Sequence, residues 1–346
     1  MAKKTRMRTG PHAASIIDVA AAAQVSTQTV SRVLNNHPHV SESARMRVQA
    51  AIEQLGYRRN MAARSLASSR MFALGVVVTN AQLFGPSQAL LAIEDAGRRA
   101  GYWCGVSMLH DFTEAAMAAA IDRFVNQGVD GIIVIAPNER TLSAAASASS
   151  RLPLVAVTAG PATEAGVVGV DVDQYAGARA AMRHLIGLGH RRIAHLAGPS
   201  DEFHARIRAA VYRTELEMAD LEPQPFAMGD WQPESGYAAG LAMAADSDRP
   251  TAVFAANDQL AMGLMRALWE SGLRVPDDVS VVGFDNIAGS QFLIPPLTTI
   301  DQDFQVLGEA SVDALVALID GQTAPSVELA PSLVVRASTR ARSSQD

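Results

Sequence analysis

The stretch SIIDVAAAAQVSTQTVSRVLNN, residues 15–36, decides the fold of the N-terminal part of this chain. Ser15 is a candidate helix N-cap, and Asp18, three residues later, fits a variant of the capping box. The apolar side chains that follow fall at helical spacing and predict one inner helix face, made of Ile16, Val19, Ala20 and Ala23. The pattern then breaks, and Ser26 can cap a second helix. Two short helices joined by a tight turn form a helix-turn-helix.

The second predicted helix has an apolar inner face and a polar outer face. The inner face consists of Val30, Val33 and Leu34, and the outer face of Thr27, Gln28, Ser31 and Arg32. In a DNA major groove, Gln28 can pair with adenine and Arg32 with guanine, each through two hydrogen bonds. Thr27 and Thr29 can contact a thymine methyl or a phosphate. The outer face is therefore suited to reading bases.

A third helix and the charge distribution support this interpretation. Ser41 can cap the third helix, whose predicted inner face consists of Val48, Ala51, Ile52 and Leu55. Residues 1–70 hold eleven Lys/Arg against three acids, which gives this segment a net charge of +8. Because the whole chain has a net charge of −6, the remaining residues carry −14. A basic module on an acidic body indicates that one part binds phosphates. Charge alone fits a disordered basic tail equally well, but the three-helix pattern favours DNA reading over a tail or a merely solvated face.

The composition limits the other possibilities. No apolar run approaches the roughly 18 residues that a membrane span needs, and the basic N-terminus leads into no apolar signal-peptide core. Cys104 is the one cysteine, so no intrachain disulfide can form. We expect a cytoplasmic protein without membrane contact.

From Phe72 onward, short apolar runs alternate with amphipathic helices in two successive groups. This rhythm predicts parallel sheets with helices on both faces, in two similar subdomains. A Rossmann-type enzyme would show the same rhythm. However, the first strand-to-helix turn, TNAQLFGPSQ at 79–88, has neither a G-x-G-x-x-G motif nor a P-loop, and no G-x-S-x-G, H-E-x-x-H or C-x-x-C motif occurs. The eight histidines lack metal-ligand spacing. We therefore expect no catalytic residues, no metal and no cofactor.

Long stretches of the sequence carry a resemblance to a known family. DVAAAAQVSTQTVSRVLN at 18–35 and VSESARMRVQAAIEQLGYRRNMAARSLAS at 40–68 closely resemble the recognition module, third helix and hinge of the lac repressor family. The resemblance continues through LIGLGHRRIAHLAGP, HARIRAAVYRTEL, AMGDW, the run at 255–286 and IPPLTTIDQDFQVLG. It implies an all-α helix-turn-helix headpiece joined to an α/β, two-lobed, periplasmic-binding-protein-like core.

The resemblance also implies the domain boundaries. The headpiece would span residues 1–58, the hinge helix and linker 59–70, and the effector-binding and dimerisation core 71–346. Within the core, lobe one would comprise about 71–171 and 302–331, and lobe two about 172–301 and 332–340.

Site residues follow from the matching positions. The resemblance implies DNA contacts by Thr27, Gln28, Thr29, Ser31, Arg32, Asn35, Ala63 and Leu66. Leu66 would insert into the minor groove as an apolar wedge. The implied effector residues are Ser87, Arg206, Trp231, Asn257, Gln259, Asp285 and Phe304. Of these, Arg206, Asn257 and Asp285 would hydrogen-bond vicinal hydroxyls, and the two aromatic residues would pack on the ligand's apolar face. Ser87 and Gln259 would lie at the mouth or first loop.

The expected function is a dimeric repressor whose affinity for pseudo-palindromic, double-stranded operator DNA is controlled by a sugar between the core lobes. A nucleobase or another small polar metabolite is the alternative effector. A solute-binding protein would need the core without the headpiece, and an enzyme on this fold would need a catalytic constellation. The pattern leaves open whether the effector releases or promotes DNA binding. The C-terminal RASTRARSSQD lacks the apolar heptads of a tetramerisation helix, so a homodimer is expected.

Overall fold

A computed structural model gives the structure of most of the chain, in two compact units, Met1–Met71 and Phe72–Asp346. The residues that it describes are 14–34, 37–57, 70–109, 113–149, 151–162, 166–224 and 227–342.

The described residues of the first unit form three helices, α1 (Ile16–Ala22), α2 (Thr27–Leu34) and α3 (Glu42–Leu55). The predicted capping box is present, because Ser15 N donates to the Asp18 carboxylate at 2.8 Å and the Ser15 hydroxyl accepts from Asp18 N. Gln24 adopts a left-handed conformation (φ 52°) in the turn between α1 and α2. The helix-turn-helix prediction is confirmed.

The three helices pack on one small core. Val19, Val30 and Val48 come from one helix each and are fully buried there. The prediction that Leu55 lies on the inner face of α3 was wrong. Its side chain is 37% exposed, because it is the last residue of α3 before the left-handed Gly56 that ends the helix.

The second unit alternates strands and helices. Its strands are β1 (Ala73–Thr79), β2 (Trp103–Leu109), β3 (Gly131–Ile135), β4 (Leu154–Val157), β5 (Val168–Val172), β6 (Ile193–Leu196), β7 (Ala252–Ala255), β8 (Ser280–Val282), β9 (Thr299–Asp301), β10 (Val327–Leu329) and β11 (Ser332–Val334). Its helices are α4 (Phe84–Arg99), α5 (Glu114–Gln127), α6 (Glu139–Ala148), α7 (Gln174–Gly187), α8 (Phe203–Met218), α9 (Pro233–Ala245), α10 (Asp258–Glu270) and α11 (Phe304–Ile319), with a short 3-10 turn at Ser290–Phe292.

Two parallel sheets define two lobes. Lobe one holds the six-stranded sheet β10-β5-β4-β3-β1-β2, and lobe two holds the three-stranded sheet β6-β7-β8. The pair β11-β9 is antiparallel and joins lobe two through isolated bridges from the β9 region. Strands such as β1 and β3 are buried along their whole length, as expected where helices cover both faces of a parallel sheet. The expected two-lobed α/β architecture is confirmed.

The chain passes between the lobes three times, in segments that we call crossovers. The first crossover follows β5, the second follows β9 and the third follows β10. The sequence pattern predicted neither β5 nor the short strands β9–β11. In β5, VGVDV, a buried acid at Asp171 interrupts the apolar run, which explains why the pattern did not indicate a core strand. Within the described ranges, no helix has both the length and the apolar character to cross a membrane.

Candidate functional site

A cleft of about 720 Å³, counting its open mouth, lies at the carboxyl ends of strands from both lobes. Ligands of open α/β sheets bind at such strand ends. Phe84, Trp231 and Phe304 supply aromatic walls. Its polar lining includes Asp171, Glu202, His204, Arg208, Asn257 and Asp285.

The structure brings four of the seven predicted effector residues to this cleft: Trp231, Asn257, Asp285 and Phe304. Neither Ser87 nor Gln259 is among the described residues that line it. Ser87 lies in the first turn of α4, where its hydroxyl donates to Phe84 O at 2.8 Å. Gln259 lies half-buried in the first turn of α10. Both residues are therefore close in sequence to residues that line the cleft, but neither is part of the described lining.

The structure also places Arg206 outside the cleft. Its side chain is exposed, and its guanidinium lies 4.9 Å from the centre of the Phe203 ring. Arg208, two residues later in α8, lines the cleft and is only 3% exposed. Residues two apart on a helix point in nearly opposite directions, so the two arginines cannot share a role. The buried stripe of α8, which runs through Val211, Tyr212 and Glu215, would have identified Arg208 as the inward arginine.

The Arg208 guanidinium is fixed by hydrogen-bond acceptors within lobe two. Its Nε and Nη2 donate to Gln174 Oε1 at 3.1 and 2.6 Å, and its Nη1 donates to Ala256 O. The guanidinium stacks on Phe284, with 3.6 Å between its carbon and the ring centre. Burial lowers the pKa of Arg208 to about 10, and the nearby Asp285 and Asp171 oppose that shift. The side chain therefore remains a cation at neutral pH. A guanidinium has five N–H groups, so two remain for a ligand.

Asp285 follows β8 in a left-handed conformation (φ 109°). Burial raises the pKa of Asp285 to about 6, while the Arg208 charge and a 2.6 Å hydrogen bond from Gln302 Nε2 to Asp285 Oδ1 act in the opposite direction. The carboxylate is thus ionised at neutral pH, and its second oxygen is available to accept a hydrogen bond.

Asp258 supports the loop that carries Asp285. It is fully buried, and its carboxyl group accepts from the Thr299 hydroxyl and from Ile287 N, the latter at 2.9 Å. Burial, together with the neighbouring Asp285, raises the pKa of Asp258 to about 8. A side chain at Gly283 would collide with this carboxyl group, so the loop requires glycine there.

Asn257 and Trp231 fix each other beside the cleft. Asn257 caps α10, since its Oδ1 accepts from Leu260 N at 2.8 Å, and its Nδ2 donates to Trp231 O at 3.1 Å. One N–H of the Asn257 amide remains for a ligand. Trp231 Nε1 donates to Glu202 Oε2 at 2.9 Å, and burial raises the pKa of Glu202.

Both lobes contribute to the charge of the cleft. Asp171 in β5 of lobe one pairs with His204 in α8 of lobe two, with 3.0 Å between Oδ2 and Nε2. Among the described lining residues, three carboxylates, Asp171, Glu202 and Asp285, accompany one guanidinium and one imidazole. The cleft therefore has no excess of positive charge. The sequence pattern did not predict Asp171, Glu202, His204 or Gln302 as lining residues, because their roles depend on which elements meet at the cleft.

Each lobe inserts an apolar side chain into the other. Phe203, at the start of α8, is buried in the main core cluster of lobe one, and its N–H donates to Pro137 O at 2.9 Å. In the opposite direction, Leu83 of lobe one packs in the lobe-two cluster that contains Trp231. The two lobes are thus in direct contact through Phe203 and Leu83.

The first unit presents a separate polar surface on α2. Thr27, Gln28 and Arg32 are exposed, whereas Thr29 and Ser31 are half-buried. The Thr29 hydroxyl is 2.9 Å from the Ser26 hydroxyl, and Thr29 N donates to Ser26 Oγ. The predicted contact residues Asn35, Ala63 and Leu66 lie outside the described residues.

Comparison with protein families matches both parts of the chain. A model described as bacterial regulatory proteins, lacI family, matches residues 15–60, and one described as a periplasmic binding protein-like domain matches residues 182–339. The lactose operon repressor of Escherichia coli (strain K12) is 38% identical over 96% of this chain and 92% of its own length. The HTH-type transcriptional repressor PurR of Mannheimia succiniciproducens is 33% identical over 94% of this chain and 99% of its own length.

Comparison with solved structures gives the same result as the comparison of sequences. A lac repressor dimer bound to operator and the anti-inducer ONPF superposes with a TM-score of 0.80 at 37% identity, covering 95% of this chain and all of that one. The transcriptional regulator CelR in complex with cellobiose gives a TM-score of 0.68 at 30% identity, covering 94% of this chain and 99% of that one.

Proposed function

This chain belongs to the lacI family of bacterial regulatory proteins, and on that premise we propose that an uncharged sugar bound in the cleft controls its affinity for operator DNA. Membership makes the chain a DNA-binding transcriptional repressor rather than an enzyme. Operator DNA and a second copy of the chain are its partners, as in the lac repressor dimer structures. We place its action in the cytoplasm, where operator DNA is accessible.

The observation that carries the sugar proposal is the set of unused hydrogen-bonding groups in the cleft. Arg208 and Asn257 offer free donors, and Asp285 offers a free acceptor oxygen. Neighbouring sugar hydroxyls both donate and accept, so they match such a mixed set. The aromatic walls Trp231 and Phe304 suit the apolar face of a pyranose ring.

The charge balance argues against an anionic effector. A phosphorylated sugar or a nucleotide would bring negative charge to a cleft that already holds three carboxylates. An uncharged purine base is the second candidate, because PurR repressors are 32–33% identical to this chain over most of its length. Phe84 and Phe304 meet edge to face at 81°, so as a pair they do not form the parallel walls that would sandwich a flat base.

A thermal-shift panel separates these candidates. We expect a neutral mono- or disaccharide to raise the melting temperature, since a ligand at 100 times its Kd stabilises by about 2.7 kcal/mol. The panel would include D-galactose, D-glucose, lactose and cellobiose, with hypoxanthine, guanine and glucose 6-phosphate for comparison. Stabilisation by a purine and by none of the sugars would overturn the sugar proposal.

The regulatory part is tested by DNA binding. The full chain should retard a fragment carrying its own upstream region in a gel-shift assay, and the stabilising sugar should change that affinity. Because phosphate contacts dominate binding, the assay is run at low and at physiological salt. Absence of any retardation at low salt would refute the operator-binding proposal, and an unchanged affinity with bound sugar would refute control by the cleft.

We propose specific contact residues for the DNA complex. The exposed side chains of Gln28 and Arg32 would read bases in the major groove, with Thr27, Thr29 and Ser31 beside them. We propose that Asn35 belongs to the same contact set and that the hinge residues Ala63 and Leu66 contact the minor groove, as the resemblance implies.

For the dimer, we propose the outer edge of lobe one as a contact surface. β2 is an edge strand of the six-stranded sheet, and its Trp103, Val106 and Met108 are 65%, 43% and 57% exposed. Leu91 on α4 is 62% exposed. An apolar edge strand left open in a soluble protein marks a pairing surface. In lobe two, exposed Phe292 and Ile294 offer a second apolar contact.

A further inference from the structure

Two buried glutamines connect the crossovers behind the cleft. Gln174 begins α7 immediately after the first crossover, and Gln302 follows β9 at the second. They are 2% and 6% exposed, and Gln174 Nε2 donates to Gln302 Oε1 at 2.9 Å. This hydrogen bond joins two of the three segments on which the lobes could move relative to each other.

The outer ends of this pair are charged groups of the cleft. Arg208 donates to Gln174 Oε1 from both Nε and Nη2, and Gln302 Nε2 donates to Asp285 Oδ1 at 2.6 Å. A continuous chain of hydrogen bonds therefore runs from Arg208 through Gln174 and Gln302 to Asp285. Each of the four side chains is at least nine-tenths buried.

The two end residues, Arg208 and Asp285, determine which group donates and which accepts in each hydrogen bond between them. A guanidinium can only donate and an ionised carboxylate can only accept, whereas an amide does both. Gln174 must therefore turn its oxygen towards Arg208, and Gln302 must turn its nitrogen towards Asp285. The remaining amide groups then meet as donor and acceptor, so all four residues are satisfied in one arrangement. A buried network of this kind specifies a single geometry.

We propose that Gln174, which is not among the described residues lining the cleft, is a positioning residue that sets the donor and acceptor pattern of the effector site. It orients the Arg208 guanidinium towards the cleft, and through Gln302 it leaves Asp285 one free oxygen. The cleft therefore requires a ligand that donates to Asp285 and accepts from Arg208. The inference rests on the proposed function only in assigning those two end residues to the effector.

A single substitution at Gln174 should disrupt this chain of hydrogen bonds at a distance from Asp285. In Gln174→Glu, the new carboxylate still accepts from Arg208 but no longer donates to Gln302. If Gln302 keeps its orientation, its oxygen faces the new carboxylate, and if it turns over, its oxygen faces the Asp285 carboxylate. Two acceptors therefore meet somewhere in the chain whichever way Gln302 lies, and an unsatisfied buried polar group is costly.

A double-mutant cycle with Asp285→Asn tests this transmission without any ligand. The amide introduced by Asp285→Asn can donate to a turned Gln302, which then donates to the carboxylate introduced by Gln174→Glu. Only the Val172 carbonyl, which accepts from Gln174 Nε2 at 3.2 Å in the wild type, stays without this donor in both backgrounds. In thermal unfolding of the full chain, we expect Gln174→Glu alone to lower the melting temperature by about 3–8 °C. We expect the same change to lower it by a smaller amount in the Asp285→Asn background, where the lost hydrogen bond to Val172 O is the cost that remains.

Gln174 and Asp285 make no direct hydrogen bond, but the carboxylate of Gln174→Glu and that of Asp285 would also repel through space, so the cycle is repeated in a Gln302→Met background. Coupling that runs through Gln302 should vanish there, whereas coupling that persists without Gln302 would overturn the proposal. Equal losses, or no loss from Gln174→Glu, would overturn the proposal. Gln322→Glu, just beyond the exposed end of α11, is the matched control and should change the melting temperature by less than about 1–2 °C in either background.

A second cycle guards against a variant that does not fold. In Gln302→Glu, the new carboxylate faces Asp285 directly, and Asp285→Asn should again relieve the conflict. Folding of Gln174→Glu only in the Asp285→Asn background supports the proposal, whereas relief confined to the Gln302→Glu cycle, whose two residues are direct hydrogen-bond partners, overturns it. Because no effector enters the measurement, a failure to find a stabilising sugar would count against the proposed function and leave this result unaffected.

Discussion

Replacing Arg208 should abolish the response to the effector, whereas replacing Arg206, two residues earlier, should not. We expect Arg208→Met to keep much of the packing over Phe284 while removing the guanidinium. Two N–H groups of Arg208 remain for a ligand, and hydrogen bonds to charged groups contribute about 1.5–3 kcal/mol each. Loss of both predicts at least about a 100-fold weaker sugar affinity, which corresponds to roughly 3 kcal/mol.

The same substitution should also destabilise the core. Gln174 Oε1 and Ala256 O would lose their donors, at about 1–3 kcal/mol each. Without the guanidinium charge, the pKa of Asp285 would rise above its present value of about 6. The measurements are isothermal titration with the sugar that most stabilises the wild type, thermal unfolding, and operator affinity by fluorescence anisotropy with and without that sugar.

Arg206→Met is the matched control, because Arg206 lies on the same helix with its side chain in solvent. It should change stability by less than about 0.5 kcal/mol and leave the sugar response intact. Without sugar, both variants should bind operator near the wild-type level. An Arg208→Met chain that binds the sugar within about threefold of the wild type, or an Arg206→Met chain that loses the response, would refute this assignment of the cleft.

The electrostatics, the DNA-reading helix and the proposed dimer surface each carry a further prediction. Burial raises the pKa of Asp258 to about 8, so at neutral pH the folded chain keeps a proton that the unfolded chain has lost, and wild-type stability should fall by on the order of 1 kcal/mol per pH unit up to about pH 8 and level off above it. Asp258→Asn should remove that slope between about pH 6.5 and 7.5 in urea unfolding, and an unchanged slope would contradict the assignment of the slope to this buried carboxyl. Gln28→Ala and Arg32→Ala should each weaken operator binding about 10- to 100-fold but random-DNA binding by less than about threefold, and equal losses on both DNAs would show phosphate contacts instead. Val106→Glu should shift the chain from dimer to monomer in sedimentation velocity, because a charge would be buried in an apolar contact, and an unaltered dimer at the same concentration would place the interface elsewhere.

Periodic and local features made the fold predictable from sequence. The capping box of Ser15 and Asp18, and the inward spacing of Val19, Val30 and Val48, depend on neighbours within one short segment. Parallel strands buried on both faces, such as β1, stand out as apolar runs. Elements without such a pattern were missed, as β5 shows.

The cleft was predictable only in part, for a different reason. Asn257 and Asp285 lie just beyond β7 and β8, so the rule that ligands bind beyond strand ends finds them. Arg208 and Asp171 lie within a helix and a strand, and their roles depend on which face of that element meets the other lobe. Matching by resemblance placed the arginine at position 206, two positions from the buried face, which shows that helical periodicity must be checked before a role is transferred.

The distribution of ligand-contacting residues between the two lobes determines which ligands can regulate operator binding. The polar groups Arg208, Asn257 and Asp285 all belong to lobe two, whereas Phe84 and Phe304 begin α4 and α11, which pack on lobe one. A ligand that satisfies only the polar set binds equally well in any arrangement of the lobes, and such a ligand cannot shift their equilibrium however tightly it binds. Regulation therefore requires contact with lobe one as well, through the aromatic residues Phe84 and Phe304 or through Asp171. Sugars that share the hydroxyl pattern but differ in their apolar face should bind with similar affinity to lobe two yet differ in their effect on operator binding.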